Sequence, residues 1–109
     1  MKYDVIILEP AEQDLTDIFS YLYYDLCESK TAARIYKLLR EKINSLSSMP
    51  QRCRIVPLAP YAQAGVRRLF VEGYVIFFLI DEQRARVEIL RILHHRRQWQ
   101  EILGDMYIN

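Results

Sequence analysis

The stretch at residues 66–80, VRRLFVEGYVIFFLI, decides the fold. Its first six residues, 66–71, are rich in strand-forming side chains, and so are residues 74–80. Between them, Glu72 and Gly73 predict a tight hairpin turn, because glycine adopts the positive φ that such turns require. Residues 74–80 are almost all apolar, so we expect this strand to be central, covered on both faces or packed against a partner.

The segments on either side of this hairpin predict the rest of the fold. Residues 86–93 have the composition of a further strand, and residues 3–8 that of a first one. In residues 11–26 and 32–46 the apolar side chains recur with the 3.6-residue period of an amphipathic α-helix. Because only about three residues join these two helices, they are expected to form an antiparallel hairpin.

The order of these elements predicts a single α+β domain over residues 1–109. It comprises a strand, an antiparallel two-helix hairpin, and an antiparallel meander of three or four strands, with residues 54–56 as the additional short strand. Residues 99–103 predict a short C-terminal helix. The helical hairpin should cover one face of the sheet and leave the other face to the end of the chain alone.

The composition excludes several classes of protein. The 109 residues are 51% hydrophobic and carry a net charge of +1, which argues against a surface that grips nucleic acid all over. No stretch is apolar enough to span a membrane, and the N-terminus lacks the apolar run of a signal peptide. The 2 cysteines form no metal-like pair. The sequence therefore predicts a cytoplasmic protein that does not contact a membrane.

Positive charge is concentrated in one part of the chain. Residues 52–97 carry nine arginines, no lysine and four acidic side chains, whereas residues 1–51 carry six basic and eight acidic ones. Arginine is suited to planar, bidentate contact with carboxylates and phosphates. The middle of the chain is therefore where a site for an anionic partner is expected.

The sequence has none of the common motifs for cofactor or metal chemistry. It lacks a glycine-rich phosphate loop, and His94 and His95 would point to opposite sides of a strand. Asp14 and Asp17 are expected to lie in a solvated first turn of the first helix. We therefore expect no cofactor, no metal and no small-molecule substrate.

Two groups of basic residues are the candidate functional site. We expect Arg67 and Arg68 to meet residues 94–97 (HHRR) in one concave cationic site, with Trp99 as its roof and Tyr74 as its floor. Such a site would bind RNA, DNA or an acidic protein segment. The alternative is a solvated, charged sheet edge that prevents aggregation.

Arg91 is expected to need a partner of its own. The strand alternation places it on the same face as Val87, Ile89 and Leu93. An arginine on an apolar face has to be paired or to reach an edge.

Five motifs, in this order and spacing, resemble the RelE/ParE superfamily: AEQDL at 11–15 with Ile18, Met49-Pro50, GVRRLFV at 65–71, GYVIFF at 73–78 and VEILRILHHRR at 87–97. These are small toxins of bacterial type II toxin–antitoxin modules, also called plasmid stabilisation proteins. The resemblance extends over nearly the whole chain, to Leu103. It implies a growth-inhibiting toxin neutralised by a cognate antitoxin.

The superfamily has two branches with different targets. RelE-like toxins cleave mRNA on the ribosome, commonly with an arginine straight after the Gly-Tyr of the central strand, where this chain has Val75. They often use a late tyrosine, for which only Tyr107 could substitute here. ParE-like toxins inhibit DNA gyrase, and the RILHHR ending at residues 91–96 resembles theirs. The resemblance therefore favours a ParE-like gyrase inhibitor without enzymatic activity over a ribosome-dependent endoribonuclease.

The third alternative is a binding module or an inactive homologue. For a ribonuclease the candidate catalytic residues are Arg67, Arg68, His95 and Arg96, in an arrangement that differs from that of the ribosome-cleaving toxins, with His95 as general acid or base. For the target, gyrase or the ribosome, the expected contacts are Arg67, Arg68, Tyr74, Arg91, His94, His95, Arg96, Arg97 and Trp99. For the antitoxin they are Tyr21, Tyr24, Tyr36 and Leu39.

Overall fold

The chain forms an α+β fold in which two long helices lie on one face of a four-stranded sheet, as the sequence predicted. The computed structural model describes residues 2–97, 99 and 101–103; Tyr107 lies outside them. The elements are β1 (Asp4–Ile7), α1 (Glu9–Ser20) with a π-helical turn after it (Tyr21–Asp25), α2 (Ser29–Ser45), a 3₁₀ turn (Pro50–Arg52), α3 (Tyr61–Ala64), β2 (Arg67–Val71), β3 (Tyr74–Asp81) and β4 (Arg86–His94).

The sheet has the strand order β1-β4-β3-β2. Strands β2, β3 and β4 form the predicted antiparallel meander. β1 joins the sheet parallel to β4, with Val5 opposite Val87. A parallel neighbour requires a long crossover connection, and the α1–α2 hairpin supplies part of it. The described C-terminal residues 99 and 101–103 are helical, which confirms the predicted closing helix.

The β2–β3 turn has the conformation that its sequence predicts. Glu72 has φ 42° and Gly73 has φ 85°, and two successive positive φ values are typical of the type I′ turn that suits the twist of a two-stranded hairpin. The turn brings Val71 opposite Tyr74. The end of β3 that begins at Tyr74 therefore lies beside the end of β4, where Tyr74 pairs with His94.

The helices and the sheet enclose the larger part of the core. α1 and α2 turn their apolar stripes toward the sheet, where they bury Leu15, Leu39 and Ile43 against Ile76 and Phe78. Within the described residues, no helix is long and apolar enough to cross a lipid bilayer.

The other face of the sheet is also covered. Val75 and Phe77 are buried there beneath Tyr61, Trp99 and other apolar side chains. The prediction that only the chain end covers this face is wrong, because residues 53–66 fold across it as well. Residues 54–56 make no regular strand; Ile55 forms one isolated bridge with Arg67.

A bulge in β4 changes which residues share a face. Phe77 pairs with Arg91 and Phe78 with Ile89, so Leu90 is an extra residue in the ladder. The predicted common face of Val87, Ile89, Arg91 and Leu93 is therefore wrong: Val87 and Ile89 pack in the helix-side core, and Leu93 packs in the core on the opposite face.

Candidate functional site

A cleft of about 620 Å³ lies between α1 and the ends of β3 and β4. It exists because β1 pairs with β4 only as far as Ile89, so the last residues of β4 have β3 on one side and no strand on the other. We call it the α1–β4 cleft; its lining residues are Asp14, Asp17, Ile18, Tyr21, Tyr74, Arg91, Ile92, Leu93, His94, Arg96 and Arg97.

A bidentate ion pair forms the inner part of this cleft. The Arg91 guanidinium donates from Nε to Asp14 Oδ2 at 2.7 Å and from Nη2 to Asp14 Oδ1 at 2.8 Å. The hydrogen bond to Asp14 is the main cause that raises the pKa of Arg91 above its ordinary value. Asp14 is therefore the partner that the sequence required for Arg91.

Asp14 also takes the place of the missing strand beside β4. Its Oδ2 accepts a hydrogen bond from the backbone N–H of Ile92 at 2.9 Å, a group that would otherwise be unpaired on an open edge. Asp14 is only 8% exposed, so the prediction of a solvated aspartate is wrong. The sequence does indicate that Asp14 is buried, because it falls on the apolar helical stripe of Ala11, Leu15 and Ile18.

The two histidines lie together at the mouth of the cleft. β4 ends at His94 and a turn follows, so the prediction that the rings point opposite ways is wrong; their centroids are 4.6 Å apart. His95 Nδ1 donates to the Gly73 carbonyl oxygen at 2.9 Å, and His94 Nδ1 accepts from the backbone N–H of Arg96 at 3.2 Å. No metal-binding group of three or more His, Cys, Asp or Glu occurs among the described residues.

Besides Arg91, two other groups in the cleft have shifted pKa values. Burial, and then the neighbouring Tyr21, raise the pKa of Tyr74 above its ordinary value. Burial, and then the charges of His95 and Arg96, lower the pKa of His94. The cleft thus keeps His94 neutral near pH 7, which suits its role as acceptor for the Arg96 N–H.

We predict that His94 makes the fold less stable in mild acid. The unfolded chain binds a proton at His94 near the ordinary pKa of 6.5, whereas the folded chain binds it only at lower pH. The free energy of unfolding should therefore fall as the pH is lowered through that value toward the folded pKa. Urea unfolding from pH 7.5 to 5.5 should show a flatter profile for His94→Gln than for the wild type. Equal slopes would contradict the assignment.

The structure does not bring Arg67 to this cleft. Its guanidinium donates to the carbonyl oxygens of Cys53 at 2.6 Å and Gln51 at 3.3 Å. Along β2, Arg67 is four residues from Val71, the partner of Tyr74, which is about 13 Å at 3.3 Å per residue. The prediction that the two basic groups form one concave site is therefore wrong for Arg67, whose role in the structure is to tie the 53–66 segment to β2.

Trp99 and Tyr74, the predicted roof and floor of the cationic site, are on opposite faces of the sheet. Tyr74 is on the helix side, edge-on to His94 at 5.5 Å, whereas Trp99 packs on the other side against Tyr61 at 5.6 Å and Phe77 at 5.4 Å. On that second side Arg68 lies over the Phe70 ring at 5.2 Å. The prediction that Trp99 and Tyr74 enclose one site is therefore wrong.

The residues predicted to contact an antitoxin differ in exposure. Tyr21 is 53% exposed and Tyr24 is 69% exposed, so both are available to a partner. Tyr36 is half-buried, and its hydroxyl oxygen accepts from Arg40 Nη2 at 3.0 Å. Leu39 is fully buried in the helix-side core, so its prediction as a contact residue is wrong.

A comparison with known protein families identifies the class of protein to which the chain belongs. Residues 5–99 match the sequence profile of the ParE toxin of the type II toxin–antitoxin system parDE. The chain belongs to this family and is a toxin of a type II toxin–antitoxin system, which confirms the resemblance found in the sequence. No curated protein sequence matches the chain.

Two solved structures have the same fold. The chromosomal ParDE toxin–antitoxin system from P. aeruginosa is similar with a TM-score of 0.69 and 22% identity over 85% of this chain and 96% of that one. The toxin–antitoxin complex RelBE2 from Mycobacterium tuberculosis is similar with a TM-score of 0.67 and 22% identity over 87% of this chain and 100% of that one.

Proposed function

We propose that this toxin arrests growth by binding and inhibiting DNA gyrase in the cytoplasm, without cutting RNA itself. The observation that carries the proposal is the filled second face of the sheet. Val75 stands where ribosome-cleaving relatives commonly have an arginine, and it is only 4% exposed. Phe77 and Trp99 pack around it, so Val75 provides neither a cation nor a free surface for a phosphate on this face.

The candidate nuclease residues also support a non-enzymatic function. A ribonuclease site needs its cations and its acid–base group within hydrogen-bonding reach of one phosphate. Arg67 is held by backbone carbonyl oxygens at one end of the sheet, whereas His95 is bonded to the Gly73 carbonyl oxygen at the other end. Of the other two candidates, Arg68 lies over the Phe70 ring and Arg96 follows the end of β4.

The surface that we propose for gyrase is the mouth of the α1–β4 cleft. His95, Arg96 and Arg97 are exposed there, and neither arginine has an ion-pair partner within the described part of the chain. Free guanidinium groups can bind the carboxylates of a protein target bidentately. Arg67, Arg91 and Trp99, also predicted as contacts, would instead act indirectly, because they hold the surface in place.

A cognate antitoxin is the second proposed partner. Two of the solved structures with this fold are a ParDE system and a RelBE2 toxin–antitoxin complex. In this chain the π-helical turn presents the exposed side chains of Tyr21 and Tyr24, and Leu26, which follows the turn, is exposed as well. Such a surface is typical of a region covered by a partner protein. We propose that the antitoxin covers it and thereby neutralises the toxin.

The function can be tested with purified components. We expect micromolar toxin to block DNA supercoiling by gyrase and to leave mRNA intact in a translating extract. Arg96→Glu with Arg97→Glu should abolish the block, because both charges that bind the target are reversed, whereas Arg54→Glu, an exposed arginine in the 53–66 segment, should not. Normal supercoiling by active gyrase, or mRNA cut within codons, would contradict the proposal.

A further inference from the structure

His94 holds the turn that carries Arg96 and Arg97. Its backbone carbonyl oxygen accepts a hydrogen bond from the N–H of Arg97 at 2.9 Å, which closes a β-turn over residues 94–97. Its side chain accepts a second one, from the N–H of Arg96 to Nδ1 at 3.2 Å. A single residue therefore accepts the backbone N–H groups of both arginines that are proposed to bind the target.

The bond from Arg96 to the ring joins the same positions as an Asx turn. In that turn an asparagine or aspartate side chain accepts the backbone N–H two residues farther along the chain. In this chain the imidazole Nδ1 takes the place of the side-chain oxygen. Since neither Arg96 nor Arg97 forms an ion pair with a described residue, this turn determines where the two guanidinium side chains leave the backbone.

The two neighbouring histidines require opposite tautomers. His94 Nδ1 accepts an N–H, so it carries no proton, and the neutral ring is protonated at Nε2. His95 Nδ1 lies 2.9 Å from the Gly73 carbonyl oxygen, which can only accept, so this Nδ1 carries a proton. Full protonation of His95 leaves its hydrogen bond in place, whereas protonation of His94 removes the acceptor for the Arg96 N–H.

Every element around the His94 ring brings a titratable or charged group. From α1, the turn after it and β3 these are Asp14, Asp17, Tyr21 and Tyr74. From β4 and the residues after it they are Arg91, His95, Arg96 and Arg97. On the β2–β3 turn, Glu72 is paired with Arg34.

These surroundings favour the neutral form of His94 at pH 7. Asp14 and Arg91 neutralise each other. Burial, and then His95 and Arg96, lower the pKa of His94 below its ordinary value of 6.5. The ring is therefore an acceptor at neutral pH and takes up a proton only in mild acid.

We propose that His94 is the positioning residue of the target-binding surface: its unprotonated Nδ1 shapes the turn that presents Arg96 and Arg97, and its protonation in mild acid opens the turn and weakens target binding. The inference rests on the proposed function, because it concerns the regulation of the surface proposed for gyrase. Protonation also adds a positive charge beside the two guanidinium groups, which by itself would attract an acidic target. The two effects have opposite signs, so the direction of the pH response distinguishes them.

Binding of the toxin to purified gyrase, measured by surface plasmon resonance at pH 7.5 and 5.5, tests the inference. His94→Asn keeps an acceptor where Nδ1 lies and does not titrate. The dissociation constant of the wild type, divided by that of His94→Asn at the same pH, should rise about fivefold at pH 5.5, because about one hydrogen bond is lost. This ratio cancels any titration of gyrase itself.

Two control variants identify the atom that is responsible. His94→Leu offers no acceptor, so at pH 7.5 His94→Asn should bind gyrase about fivefold more tightly than His94→Leu. His95→Asn keeps a donor for the Gly73 carbonyl oxygen, and its dissociation constant relative to that of His94→Asn should still rise at pH 5.5, because His94 still titrates. Circular dichroism should show that all four proteins are folded.

Nitrogen-15 NMR of the toxin alone tests the geometry without gyrase. At pH 7.5 the His94 ring should carry its proton on Nε2 and the His95 ring on Nδ1. The amide resonance of Arg96 should shift with the midpoint of the His94 titration and should not do so in His94→Asn. A His94 ring protonated at Nδ1, or an Arg96 amide that does not respond, would overturn the positioning role.

The outcomes separate the inference from the proposed function. A wild-type to His94→Asn ratio that stays constant or falls at pH 5.5 would overturn the inference, while gyrase remains the target. No binding of the wild type to gyrase at pH 7.5 would overturn the proposed function and with it the regulation of gyrase binding. The NMR titration then still decides whether His94 shapes the turn.

Discussion

Asp14→Ala is expected to lower the free energy of unfolding by about 3 kcal/mol, because breaking a buried ion pair leaves an uncompensated charge. The change removes both acceptors of the Arg91 guanidinium and the acceptor of the Ile92 N–H. Three hydrogen-bond donors then lose their acceptor. Among the described residues, no other side-chain hydrogen bond joins α1 to β4. Urea unfolding of the purified protein measures the loss.

Two further variants identify the cause of that loss. Asp14→Asn keeps an oxygen acceptor for the Ile92 N–H and loses the charge, so its destabilisation should be smaller than that of Asp14→Ala. Asp17→Ala removes an exposed carboxylate on the same helix and should change the stability by less than about 0.5 kcal/mol. If Asp14→Ala were as stable as Asp17→Ala, the ion pair would contribute nothing to the fold.

Val75→Arg is expected to destabilise the protein by about 4 kcal/mol or more, because it buries a cation without a partner. Val75 faces the side of the sheet that is closed by Phe77 and Leu93, and no described carboxylate lies in that cluster. The variant places a long charged side chain where the packed apolar cluster has no polar partner for it. Thermal unfolding measures the effect, and the variant should not cut mRNA in a translating extract.

Phe70→Arg is the matched control for this variant. Phe70 lies directly opposite Val75 in the β2–β3 ladder and is 62% exposed. The same side chain introduced there reaches solvent and should cost less than about 1 kcal/mol. A stable Val75→Arg protein, or one that cleaves mRNA, would show that this face can open, and the argument against a ribonuclease would be lost.

The local features of the fold could be predicted because each depends on neighbouring residues. The hairpin turn follows from Glu72 and Gly73, whose positive φ values are set within two residues. The helical conformation of α1 and α2 follows from apolar side chains that recur about one helical turn apart. The parallel pairing of β1 with β4 could not be obtained in this way, because it joins segments at opposite ends of the sequence.

The candidate site was predicted less well, for the same physical reason. Placing Arg67 beside Arg96 required the register of two hairpins, and the register keeps Arg67 at the Phe78 end of β3. The bulge at Leu90 changes which side chains of β4 share a face, and no residue type in the strand indicates a bulge at that position. The exposed arginines after β4 were recognised from composition alone, whereas Asp14 was missed because helix starts often carry solvated acids.

The pairing of the first strand with the last one affects how the toxin is made. β1 cannot form its ladder until β4 has been synthesised, so a nascent chain exposes the apolar side of α1 and α2 throughout most of translation. Contacts this distant in sequence also slow folding, because the chain must close a long loop before they are gained. We expect the newly released chain to pass through a stage in which β1 is unpaired and the apolar side of α1 and α2 is open to contact with another protein.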